Sequence, residues 1–132
     1  GAQAVVCNEY ELSVFHAKTG WDLTQLLAEV PLAVITRGEL GCTLYSRAEA
    51  PVAVPACPLR GEAADSTGAG DAFRAGLGLG WIRGLPWEVC ARLGSTASAF
   101  VLEAVGTQGH LFTKDQFVER YQENFGEFPP GL

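Results

Sequence analysis

The run Asp65-Ser66-Thr67-Gly68-Ala69-Gly70-Asp71-Ala72-Phe73 sets three small residues directly before a carboxylate, where the pattern turns from loop to helix. The first N–H groups of a helix have no acceptor within it. Gly68, Ala69 and Gly70 carry almost no side chain, so a phosphate can approach those donors closely, aided by the helix dipole. Asp71 then stands beside the bound phosphate, where a carboxylate takes a proton from an attacking hydroxyl. That combination suits phosphoryl transfer to an alcohol. Read as local structure alone, the same run is a glycine-rich turn followed by an acidic residue in a helix's first turn.

Two other phosphate-binding arrangements are excluded by the residues. No Gly-x4-Gly-Lys-Ser/Thr occurs, so there is no P-loop. Gly68-Ala69-Gly70 opens like a dinucleotide fingerprint, but Phe73 stands where the third glycine would be needed.

Two further clusters follow apolar runs. Asn8-Glu9-Tyr10-Glu11 comes after Ala4-Val5-Val6-Cys7, and Thr36-Arg37-Gly38-Glu39-Leu40-Gly41 comes after Leu32-Ala33-Val34-Ile35. Open α/β sheets place ligands at the carboxyl ends of such strands. Each cluster also has a purely structural reading. Asn8 caps a helix with Glu11 in its first turn, and the glycines of the second cluster serve turn geometry.

Together these segments resemble the signatures of the PfkB family, the ribokinase-like sugar and nucleoside kinases. The family pattern Asp-Thr/Pro-Thr-Gly-Ala/Val-Gly-Asp-Ala-Phe, followed after two more residues by Gly, is matched through Gly76, with Ser66 as a mild variant. Asn8 and Glu11 match the family's Asn-x-x-Glu. Thr36, Gly38 and Gly41 match its Thr-x-Gly-x-x-Gly nucleotide loop. The resemblance implies that Asp71 is the catalytic base and that the N–H groups of Gly68, Ala69 and Gly70 form an anion hole. It implies that Asn8 and Glu11 organise Mg²⁺, water and the triphosphate of ATP, and that Thr36, Gly38 and Gly41 lie along the nucleotide.

It further implies that Asp65 and Thr67 help hold a monovalent cation such as K⁺, together with backbone near Gly106-Thr107-Gln108. His110 stands where some relatives place a serine hydroxyl, which is a departure at that cation site. The segment Trp87–Phe100 would wall the adenine, with Ser95, Ala97 and Ser98 small enough for a base to pack against. Arg74 is placed equally well near phosphate or in solvent. His16 and His110 read as structural and surface residues.

The resemblance extends over essentially the whole chain. The stretch from Arg92 to His110 and the closing helix look most like bacterial adenosine and nucleoside kinases. Residues 1–132 are thus expected to be the C-terminal, nucleotide-binding part of a ribokinase-like three-layer α/β/α fold, without the N-terminal acceptor-binding and lid half. Such a part is expected to be marginally stable alone, to associate with itself or with a complementing half, and to show negligible turnover. The acceptor class is a nucleoside or a sugar.

Composition agrees with a folded domain. With 48% hydrophobic and 18% charged residues the chain can bury a core, and its 132 residues allow one domain. A net charge of −6 argues against a nucleic-acid or anionic-membrane partner. Cys7, Cys42, Cys57 and Cys90 show no Cys-x-x-Cys spacing and read as free thiols in a reducing compartment. The N-terminus lacks a basic region followed by an apolar stretch, and no apolar run is long enough to span a bilayer, so a cytoplasmic place is expected.

The elements that must position these residues follow from punctuation and periodicity. A strand ending at Cys7 leads into a helix Glu9–Lys18, stopped by Gly20. A helix Asp22–Glu29, the strand Leu32–Thr36 in a parallel sheet, and a hairpin of Cys42–Tyr45 with Val52–Val54 come next. The helix from Ala69 to about Arg83 sets Phe73, Leu77 and Trp81 on one face, and its glycines permit a neighbouring backbone to approach. Pro86 takes a first helical position before a helix Trp87–Glu103. Thr113-Lys114-Asp115-Gln116 is a capping box for a last helix ending near Phe125.

Overall fold

The structure is a computed structural model that describes residues 1–63, 67–103 and 112–132. The chain divides into two units, Gly1–Val54 and Pro55–Leu132.

The first unit begins with β1 (Ala4–Asn8), two helices α1 (Glu9–Thr19) and α2 (Leu23–Glu29), and β2 (Leu32–Thr36). A 3-10 turn over Gly38–Leu40 leads to β3 (Cys42–Ser46) and β4 (Val52–Val54). Both helices start at reciprocal capping boxes. Asn8 Oδ1 accepts the Glu11 N–H at 2.7 Å, and Asp22 Oδ1 accepts the Gln25 N–H at 2.9 Å. Asp22 is therefore the cap of α2 and not its first residue. Gly20 ends α1 at φ +75°, a conformation that favours glycine.

The four strands lie in the order β1-β2-β3-β4, with β1 parallel to β2 and the other pairs antiparallel. The parallel neighbour expected for β2 and the expected hairpin are both present, and the antiparallel β2–β3 pair makes the sheet mixed. The α1–α2 crossover is long enough to return β2 parallel to β1. Between Thr36 and Cys42 the chain has room only for a tight reversal. Cys7, Leu26, Val30, Ala33 and Ile35 form the buried centre of this unit, with Leu12, Phe15, Leu23 and Tyr45 packed against it.

The second unit contains α3 (Ala69–Ile82), α4 (Trp87–Glu103) and α5 (Lys114–Phe125). Phe73, Gly76, Leu77 and Gly80 form the buried stripe of α3. Trp81, expected on that stripe, is instead 49% exposed and stacks on Trp87 with ring centroids 6.1 Å apart. A helix turns by about 100° per residue, so position i+8 falls well round from position i. The buried place goes to Gly80, where a Cβ would come within 2.9 Å of Cys90 Sγ. Pro86 precedes the helix and accepts the Cys90 N–H at 3.0 Å, rather than occupying its first position. Thr113 caps α5 in the expected box with Gln116.

All four cysteines are buried and none is joined in a disulfide. Burial pushes the Cys57 and Cys90 thiols up, and pushes Cys42 up to about 11. Thiolate is the reactive form. The native protein is therefore expected to resist maleimide labelling at neutral pH, and unfolded chain to label at all four positions. Because these folded values lie above the ordinary 9.0, the associated stability is complete below that value and is lost as pH rises towards 11. Mass spectrometry after a labelling pulse checks the first point, and thermal melting between neutral pH and pH 11 the second.

Candidate functional site

The first unit brings two of the sequence clusters to one edge. Asn8 and Thr36 are register partners at the carboxyl ends of the parallel strands β1 and β2. Asn8 acts as the helix cap, and Glu11 answers it by accepting the Asn8 N–H at 3.5 Å. Both side chains also reach the surface, at the start of α1. Thr36 is half-buried, and its hydroxyl donates to the Cys7 carbonyl at 3.5 Å.

Beyond Thr36 the chain closes a small loop. The Arg37 N–H donates to the Gly41 carbonyl at 2.7 Å and the Gly41 N–H to the Gly38 carbonyl at 3.0 Å. Gly38 at φ +58° and Gly41 at φ +87° occupy conformations that other residues rarely adopt. The turn geometry is thus a demonstrated reason for these two glycines, alongside any contact with a ligand.

In the second unit Gly68 stands at φ +86°, at the start of α3, and its carbonyl accepts the Ala72 N–H at 2.9 Å. The N–H groups of Ala69, Gly70 and Asp71 lie in the first turn, where a helix supplies no acceptor. Among the described residues a Cβ at Gly70 would find only Arg74 Nη1, at 3.7 Å. The Asp71 side chain is 88% exposed, with Arg74 Nη1 3.4 Å from Oδ1. So exposed a pair adds little to stability. It does set a cation beside the carboxylate at the mouth of the helix.

Thr67 is exposed, one residue before this start. Ser95 lies buried in α4, and its hydroxyl accepts the Cys57 N–H at 2.7 Å, so it holds the loop that follows Pro55. Asp65, Gly106-Thr107-Gln108 and His110 lie outside the described residues. His16 Nδ1 donates to the Trp21 carbonyl at 2.8 Å, closing the turn between α1 and α2.

The sequence patterns do not reveal the hydrogen bond from Arg37 to Tyr45 or the ion pair between Glu103 and Arg120. Each joins residues at separations that no short motif records. Among the described residues no group of three or more His, Cys, Asp and Glu is clustered to hold a metal, and no helix is long and apolar enough to cross a membrane.

Residues 1–114 match the family described as pfkB family carbohydrate kinase. The chain belongs to the pfkB family. The nucleoside kinase of Methanocaldococcus jannaschii is 31% identical over 117 residues, which cover 89% of this chain and 38% of that protein. A solved structure of that nucleoside kinase, described as an archaeal member of the ribokinase family, superposes with a TM-score of 0.82 at 29% identity, over 92% of this chain and 40% of the other. The Burkholderia thailandensis nucleoside kinase in complex with ADP-inosine superposes with a TM-score of 0.90 at 34% identity, over 99% of this chain and 40% of the other. The chain thus spans about two fifths of the length of these relatives. Its α/β fold, with a mixed sheet, is that of the ribokinase-like pfkB proteins.

Proposed function

We propose that this pfkB chain forms the nucleotide-binding part of an ATP-dependent kinase that phosphorylates a hydroxymethyl group of a nucleoside. The observation that carries the reading is the start of α3: Gly68 at φ +86°, first-turn N–H groups without helical acceptors, and an exposed Asp71 beside them. In the proposed reaction Asp71 accepts the proton of the acceptor hydroxyl as its oxygen attacks the γ-phosphorus of ATP. The bond to the bridging oxygen breaks, and ADP leaves. The N–H groups of Gly68, Ala69 and Gly70 stabilise the charge that develops on the transferred phosphoryl oxygens.

Asn8 and Glu11 fit a supporting part at the β1 edge, because both side chains reach the surface while also capping α1. Mg²⁺ keeps most of its waters and is commonly held by one or two carboxylates together with phosphate oxygens. Glu11 would hold it through water, and the ion would neutralise triphosphate charge. Thr36, Gly38 and Gly41 would line the nucleotide, Ser95 would shape the adenine side from within α4, and Asp65 with Thr67 would serve a monovalent cation. A nucleoside acceptor is favoured over a sugar by the nucleoside kinases of M. jannaschii and B. thailandensis, the second in complex with ADP-inosine. Four buried cysteines outside any disulfide fit a reducing cytoplasm.

Calorimetric titration of MgATP into the purified chain and into Gly70→Val tests the reading. A Cβ at this position clears the described residues, so the fold is expected to tolerate the change while the approach to the first-turn N–H groups is closed. The expected result is saturable binding by the parent chain, weakened at least ~tenfold in the variant. Absence of binding by a folded chain, or equal binding by Gly70→Val, would overturn the proposal. In a coupled assay the chain alone is expected to show negligible acceptor-dependent turnover, because the relatives are some two and a half times longer.

A further inference from the structure

Arg37 stands between Thr36 and Gly38, and its two ends hold different things. Its N–H closes the loop on the Gly41 carbonyl, and its own carbonyl accepts the Leu40 N–H at 3.1 Å. Its side chain is half-buried and donates from Nη2 to the Tyr45 hydroxyl at 2.9 Å. Side chains alternate along a strand, so Ala33, Ile35 and Arg37 lead towards one face of the sheet. Tyr45 is the register partner of Ala33, four residues before Arg37. The guanidinium is therefore drawn back along the sheet, away from the tip of the loop.

Little else fixes it. Arg37 Nε is buried and has no hydrogen-bond partner among the described residues, and among them no carboxylate forms an ion pair with Arg37. Beside it lies a cavity of about 380 Å³ whose lining includes Leu12, His16, Arg37 and Tyr45, with Glu9 and Asp22 as its acidic residues. That space would let an untethered guanidinium swing aside. A buried donor without a partner raises the cost of this arrangement, and a hydrogen bond made by a charged group is among the stronger ones. The orientation of Arg37 thus rests on one phenolic oxygen.

We propose that Arg37 is a positioning residue for the nucleotide loop: held by Tyr45, it fixes where Thr36, Gly38 and Gly41 present their backbone. The inference rests on the reading of Thr36–Gly41 as that loop. The role assigned to Arg37 is indirect. Its effect passes through the Gly41 carbonyl, and so through the two positive-φ glycines that set the shape of the turn.

Arg37→Met, Tyr45→Phe and Arg37→Lys separate this role from general stability. Tyr45→Phe removes a single oxygen and keeps the ring in the core, so it remains informative even if Arg37→Met folds poorly. Amide hydrogen exchange at Leu40 and Gly41 reads the loop without nucleotide, and MgATP titration reads its use. Exchange at these amides is expected to speed up about tenfold in Arg37→Met and Tyr45→Phe, with α1 amides unchanged and MgATP binding weakened to a similar degree. Arg37→Lys, which keeps a cationic donor, should recover part of both. Unchanged exchange in Tyr45→Phe overturns the inference whatever the nucleotide does. Faster exchange with unaltered MgATP affinity overturns the nucleotide-loop reading and, with it, this inference. An absence of MgATP binding by the parent chain does the same, while the exchange data still decide whether Arg37 shapes the turn.

Discussion

Arg120→Ala is expected to destabilise the chain by about 3–5 kcal/mol, enough to unfold much of it at room temperature. Arg120 is 3% exposed and forms a two-pronged pair with Glu103, Nη1 to Oε1 at 2.6 Å and Nη2 to Oε2 at 3.1 Å. Its guanidinium also lies 4.6 Å from the centroid of the Phe100 ring. Glu103 Oε1 further accepts the Arg60 N–H at 2.9 Å, so the same carboxylate ties down the segment that precedes α3.

Removing Arg120 strands a carboxylate whose side chain is only 20% exposed, at the C-terminal end of α4, where the helix dipole disfavours negative charge. The pair itself need not be worth as much, since two buried charges lose much of their gain to desolvation. A double variant, Glu103→Leu with Arg120→Met, should therefore recover most of the loss. Urea unfolding of the three proteins measures this. Equal losses in the single and double variants would show that the aliphatic stem and ring contact of Arg120, rather than its charge, matter.

The same pair sets a pH dependence. Hydrogen bonds from Arg120 hold the Glu103 carboxyl below its ordinary 4.5. The stability this contributes is complete above that value and is lost as pH falls through the lower folded value. Glu103→Gln should remove that part of the acid sensitivity. Melting temperatures of both proteins from neutral pH down to about 3 should converge on acidification.

The second large effect is expected from a single methyl group. Gly94→Ala would place a Cβ 2.6 Å from the Phe73 carbonyl oxygen, and Gly76→Ala would place one 2.7 Å from the Leu93 carbonyl oxygen and 2.8 Å from Gly94 Cα. These are backbone atoms of the opposing helix and cannot turn aside, so α3 and α4 must separate. A cost of ~3 kcal/mol for either change is expected, at the upper end of what overpacking produces. Gly78 lies on α3 as well, but a methyl group there would meet nothing within 4 Å among the described residues. Gly78→Ala should instead add about 0.5–1 kcal/mol through helix propensity and a less flexible unfolded chain. Parallel denaturation curves of the three variants test whether contact or propensity governs. Similar shifts in all three would remove close helix packing as the explanation.

What could be read in the sequence was what depends on near neighbours. The starts of α1 and α5 are carried by Asn8 with Glu11 and Thr113 with Gln116, each three residues apart, whereas the same spacing of Asp22 and Gln25 at α2 went unread and Asp22 was placed inside the helix. The start of α3 at Gly68–Asp71 was legible for the same reason, and the family resemblance rested on those residues. The direction of β3 against β2 was not legible, because an apolar run such as Leu32–Ile35 looks alike whether its neighbours are parallel or antiparallel; the parallel β1–β2 pair and the β3–β4 hairpin were. The exposure of Trp81 was missed because the simple repeat ignores the drift of helical position. The Arg120–Glu103 and Arg37–Tyr45 contacts depend on helices and strands already packed, so nothing in a local pattern reports them.

The order of the strands has a kinetic corollary. In residues 1–54 spatial order equals chain order, so each strand after β1 docks on the one that immediately precedes it in the sequence. The β2–β3 and β3–β4 closures are short reversals. Joining β2 to β1 must gather the whole α1–α2 crossover, and chain entropy makes that the slow closure. Substitutions in α1 and α2 should accordingly show up in the folding rate of this unit, and those in the β3–β4 hairpin mainly in its rate of unfolding.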